Sequence, residues 1–78
     1  MENLLAAQMA TNVDLMHVKR YLHSLKPTNW KSETNYFDMQ SIIYFTVDGK
    51  KYKLVIPLNS KTSQIDYYIK DQLPELLL

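Results

Sequence analysis

Asp14 and His17 stand one helical turn apart in "TNVDLMHVKRYLH", the spacing at which a carboxylate can orient an imidazole as a general base. Such a pair needs a nucleophile on the far side of the ring. The chain has no cysteine, and its serines are not spaced to join the pair. His17 and His23 are six residues apart, roughly 120° around a helix, so they do not converge on a metal as an i, i+4 pair would. Asp38, Asp66 and Asp71 show no acid/base spacing along the chain. Gly49 is the single glycine, which argues against a glycine-rich loop cradling phosphates. The expectation is a protein without catalytic machinery, cofactor or metal.

Composition narrows the class further. Seventy-eight residues make one small domain, of a size that seldom retains more than about 3–5 kcal/mol of net stability unaided. Disulfides and thiolate-bound zinc require cysteine, so association with another chain is the remaining source of help. With 46% hydrophobic and 22% charged residues the chain reads as globular. A net charge of +1 gives no global attraction to nucleic acid or membrane, and any basic surface must be local. No run approaches the ~20 apolar residues of a membrane span. The start "MENLLAAQMA" is acidic rather than basic, unlike a signal peptide. A cytoplasmic protein is expected. Abundant Lys, Asn, Ile and Tyr with a lone Arg suit AT-rich coding, as in low-GC bacteria and their phages.

The elements that must position any site follow from periodicity. Residues 2–25 read as one helix, with Leu4, Ala7, Leu15, Val18, Leu22 and Leu25 on a core-facing stripe and Tyr21 at its edge. Leu5, Met9, Val13 and Met16 form a second apolar sector, nearly opposite. That sector becomes basic toward the end, with Lys19, Arg20, His23 and Lys26. Thr11 with Asp14 offers an alternative start, a capping box that would make the first ten residues a separate arm. Lys26-Pro27 ends the helix, and residues 26–35 read as a polar loop around Trp30. Strands are expected at about 36–47 and 50–58, joined by Asp48-Gly49 in a type I′ turn. That turn sets Phe45 against Tyr52, Ile43 against Leu54 and Ser41 against Ile56, on an inner face extended by Phe37, Met39 and Leu58. The outer face pairs Thr46 with Lys51, Tyr44 with Lys53 and Ile42 with Val55. A last helix over about 61–73, capped by Ser60, Thr62 or Ser63, carries Ile65, Tyr68, Ile69 and Leu73 inward. Pro74 limits the tail, 74–78, to a further turn.

The fold class is therefore α+β, a single domain in α-β-β-α order, with both helices on the hairpin's inner face. A lone hairpin leaves two open edges, and the sheet would be extended by dimerisation or by a hidden third strand near Trp30. In the latter case the order is similar, in topology alone, to double-stranded RNA-binding domains. The basic start of their last helix shrinks here to Lys61 and the glycine-rich approach is missing, so no residue role carries over.

A core this small buries one stripe per helix. The second sector, Leu5, Met9, Val13 and Met16, is therefore expected to bind a protein partner or a second copy of the chain, and flexible Met suits such surfaces. Tyr44, Lys51 and Lys53 are the outer-face residues expected to contact a partner. The function expected is a small non-enzymatic inhibitor or adaptor, of phage or mobile-element origin, that blocks for example a host defence enzyme. The alternative is a nucleic-acid-binding module in which Tyr44 stacks a base and the lysines meet phosphates.

Overall fold

The computed structural model describes residues 10–77. Two helices lie on one face of a three-stranded antiparallel sheet in the order α1 (Leu15–Tyr21), β1 (Thr28–Asn35), β2 (Gln40–Val47), β3 (Lys50–Pro57) and α2 (Thr62–Gln72). The α+β class and the packing of both helices on the hairpin's inner face are as expected. The hidden third strand exists, so the order is α-β-β-β-α.

Residues 10–14 are not helical, which corrects the reading of one helix over 2–25. Side chains there bond to the backbone in place of a helical ladder. Thr11 exchanges two hydrogen bonds with Asn59, donating its N–H to Asn59 Oδ1 at 2.7 Å and accepting Asn59 N–H at 2.8 Å. Asn12 Oδ1 accepts the N–H of Val13 at 2.8 Å, and Asn12 Nδ2 donates to Thr34 Oγ1 at 3.0 Å. The cap is Asp14 itself, whose carboxylate accepts the N–H of His17 at 3.2 Å, rather than Thr11. Val18 and Leu22 are buried as the stripe requires, with Leu15, Tyr21 and Leu25 packed around them. Leu4, Leu5, Ala7 and Met9 lie outside the described residues. After a short 3-10 turn, His23–Leu25, Lys26 takes a left-handed conformation (φ 52°) before Pro27 and ends the helical path.

β1 replaces the loop expected over 26–35. It is an edge strand with one packed side chain, Trp30, whose ring lies 5.0 Å from that of Phe45. The register shifts between Thr28, opposite Thr46, and Lys31, opposite Tyr44, so Asn29 and Trp30 together face one residue of β2. Asn29 sits at φ 56°, the left-handed position of a bulge of the kind glycine usually fills. The bulge and the polar sequence erase the alternation that marks a strand.

The β2–β3 hairpin has the register the turn dictates, with Val47 opposite Lys50, Phe45 opposite Tyr52 and Ile43 opposite Leu54. Asp48 at φ 50° and Gly49 at φ 79° supply the two positive φ values of a type I′ turn. Ile43, Phe45, Val47, Leu54 and Ile56 are buried with Val18, Leu22, Ile65, Ile69 and Leu73 in one core. Leu58 is buried just past β3. Strand β2 begins at Gln40, not at 36. Tyr36–Met39 form a turn, and Phe37, expected on the inner face, is 94% exposed.

At α2 the cap position belongs to Lys61, not to Ser60, Thr62 or Ser63. The Ser60 hydroxyl donates to the carbonyl of Pro57 at 2.6 Å, while Gln64 Oε1 reaches back to the N–H of Lys61 at 2.7 Å. Ile65, Ile69 and Leu73 are buried along the expected stripe, and Pro74 starts a short 3-10 turn, Pro74–Leu76. Gln72 closes part of the open edge of β3. Its amide donates to the carbonyl of Val55 at 2.6 Å and accepts the N–H of Val55 at 2.9 Å. Ladder alternation then turns the N–H and C=O of Lys51 and Lys53 outward on the same edge, and Pro57 has no N–H to offer. Among the described residues no helix is long and apolar enough to cross a membrane.

Candidate interaction surfaces

Of the residues that could carry chemistry, the structure brings His17 to Asp66 rather than to Asp14. Asp14 caps α1 with its carboxylate and engages the backbone of His17, not its ring. The ring instead meets Asp66 of α2, Nε2 to Oδ1 at 2.6 Å, and ties the two helices together at a partly buried position. Among the described residues no three His, Asp or Glu side chains group as metal ligands. No buried side-chain polar atom among the described residues lacks a hydrogen-bond partner.

Of the apolar sector read from the first helix, Val13 and Met16 fall among the described residues. Val13 is 8% exposed and belongs to the core, which corrects its assignment as a partner contact. It turns inward because the chain at 10–14 is not helical and is tied to Asn59 and Thr34 beside it. Met16 is 61% exposed. Leu5 and Met9 fall outside the described residues. The basic set at the end of α1 is partly occupied, with Lys19 Nζ 5.5 Å above the ring of Trp30. Arg20, His23 and Lys26 point to water.

Two surfaces stand out among the described residues. The first is the β1–β2 turn, where Tyr36 (52% exposed) and Phe37 stand in solvent. This turn is braced from within. Asn35 Oδ1 accepts the N–H of Asp38 at 3.1 Å, and Asn35 Nδ2 donates to Asp38 Oδ2 at 2.9 Å. Met39 at φ 55° completes the reversal, and its carbonyl accepts the N–H of Leu58 at 2.9 Å. Sequence reasoning placed Phe37 on a strand. The signal that marks it otherwise is the Asn35/Asp38 pair, two residue types that make side-chain-to-backbone turns.

The second is the open face of the sheet. Tyr44, Lys51 and Lys53 project there as expected, Tyr44 half-buried and both lysines exposed. β1 adds Lys31, invisible as a face residue while 26–35 read as a loop. Across the three strands Lys31, Tyr44 and Lys53 form one row, and Glu33, Ile42 and Val55 the next. A shallow hollow of about 370 Å³ opens beside that row, lined by Asn29, Lys31, Tyr44, Thr46 and Lys51 with the backbone neighbours Phe45 and Tyr52.

No protein-family model, no curated protein and no solved structure matches the chain. The functional reading therefore rests on these two surfaces.

Proposed function

We infer that the chain is a small non-enzymatic protein-binding module, of the inhibitor or adaptor type, that acts by covering a surface on a protein partner. The observation that carries this reading is Phe37, 94% exposed at the tip of a turn pinned by Asn35 and Asp38. A large apolar side chain held in water on a rigid turn suits an interface anchor. Aromatic residues dominate interface energetics, and a preformed turn loses little entropy on binding. Tyr36 beside it and Met16 on α1 add apolar area for a partner to cover.

A partner of different sequence fits better than a second copy paired through β3. Antiparallel self-pairing along that edge would bring Lys51 and Lys53 of one copy against the lysines of the other, and like charges across strands repel. The size and the Lys-, Asn- and Tyr-rich composition suit an inhibitor encoded by a phage or mobile element and aimed at a host enzyme.

The test replaces Phe37 with a photo-crosslinking phenylalanine and exposes the protein to lysate of a low-GC bacterial host. One protein species should crosslink and be identified by mass spectrometry. Against that purified partner Phe37→Ala should weaken binding by about 2 kcal/mol, the scale of a hot-spot truncation. A partner captured equally well by Phe37→Ala would refute the turn as the contact.

A further inference from the structure

We propose that the open sheet face is a binding site for single-stranded nucleic acid, with one base stacked on Tyr44 and the backbone phosphates held by Lys31, Lys51 and Lys53. This site is separate from the Phe37 turn. Tyr44 lies four residues into β2 from Gln40, where the turn ends, about 14 Å along the strand.

The three-strand register carries the proposal. Lys31 and Lys53 are the direct cross-strand neighbours of Tyr44, one on each side. Strand spacing sets their backbones about 9.6 Å apart, and Lys51 lies about 6.7 Å from Lys53 along β3. Half-buried Tyr44 thus has a lysine at each cross-strand position and a third on the diagonal, while the hollow beside it has no carboxylate in its lining. Asn29 and Thr46 add an amide and a hydroxyl at the rim. Base stacking on an aromatic platform with lysines tracking the backbone is how sheets hold single strands. A paired strand keeps its bases stacked inside the duplex, out of reach of a ring on a shallow face. The hollow is shallow and open to solvent, which suits a polymer lying across it, whereas a free nucleotide site would enclose its ligand.

Among the described residues of these two rows, Glu33 is the one opposing charge. Its carboxylate lies 3.4 Å from Lys31 Nζ, and both side chains are largely exposed. Exposed pairs of this kind hold weakly, so Lys31 can turn to a phosphate. Glu33→Gln should then tighten binding severalfold.

Fluorescence anisotropy of a labelled dT20, a labelled U20 and a 20-base-pair duplex tests the proposal on the whole chain at 50 and 200 mM salt. Three neutralised phosphates on a single strand give a log–log slope near −2, so affinity for dT20 or U20 should fall about 20-fold between the two salts. Tyr44→Leu, which keeps apolar volume on the strand, should lose at least about fivefold, while Tyr44→Phe should bind as the original does. Lys31→Ala with Lys51→Ala and Lys53→Ala should abolish the salt dependence, with the folded state verified by circular dichroism. The proposal falls if neither single strand binds at 50 mM salt, or if the triple lysine variant binds unchanged. It also falls if the duplex binds as tightly as dT20, or if a 20-residue poly-glutamate does, since an acidic protein would then be the better occupant.

Discussion

The chain has two phenylalanines, and they live in contrasting surroundings. Phe45, in the middle of β2, is 1% exposed, with Trp30 tilted against it and Tyr52 stacked at 5.7 Å. Phe37, at the turn that leads into the same strand, touches mostly water. Each position is held by a different kind of force. Phe45 is fixed by packing and by a register that the Asp48-Gly49 turn imposes from the far end of the hairpin. Phe37 is fixed by two hydrogen bonds between Asn35 and Asp38, and its own side chain contributes almost nothing to folding. A domain of this size has little apolar area to spare, so the residue inside carries the fold and the one left outside is the one we propose as a partner contact.

The contrast can be broken most forcefully at Phe45. Phe45→Ala should cost about 3–5 kcal/mol, which equals the whole stability expected for a domain of this length. Its far-ultraviolet circular dichroism at 25 °C should be that of an unfolded chain. A cooperative melt close to that of the original would show that the core does not depend on this ring. Gly49→Val should cost less, about 1–2 kcal/mol, because a side chain there meets open space and only the positive φ is strained. Urea denaturation should show a lower midpoint with an unchanged slope. Asn35→Ala removes the brace under Phe37 and should cost about 1 kcal/mol, the net worth of an ordinary hydrogen bond. Chemical shifts of Tyr36–Met39 should move toward averaged values while β3 shifts stay put. Phe37→Ser should change stability by less than about 0.5 kcal/mol, measured as an unaltered melting temperature. A larger loss would mean that Phe37 packs in solution and is no free anchor.

The same contrast explains what could be read from the sequence. The β2–β3 hairpin was legible because two independent signals agree, the Asp48-Gly49 turn and the alternation of Ile43, Phe45 and Val47 with Ile42, Tyr44 and Thr46. The inward stripe of α2, Ile65, Ile69 and Leu73, was legible from its four-residue spacing alone, since the expected cap residues proved not to be the cap. β1 was not, since a strand with one packed side chain and a bulge at Asn29–Trp30 leaves no period to detect. Lys31 was lost with it, and so was half of the basic row around Tyr44. Periodicity reads the first helix too long because Asn12 and Asp14 satisfy backbone N–H groups with their side chains and the backbone of Thr11 bonds to Asn59, a competition that it does not register. Val13 consequently lies in the core, and the apolar surface had to be found at Phe37, which alternation alone had assigned to a strand.

The Gln72 amide on Val55 gives the molecule a built-in reporter. The N–H of Val55 has no partner in the sheet ladder and bonds to one side chain at the end of α2. Its exchange with solvent deuterium therefore measures how often the last turn of that helix lifts from the strand, independently of whether the sheet itself opens. On the same edge the amides of Lys51 and Lys53 should exchange at nearly the rate of an unstructured peptide. A ligand that slows those two without slowing Val55 has bound to the strand; one that slows Val55 alone has tightened the helix.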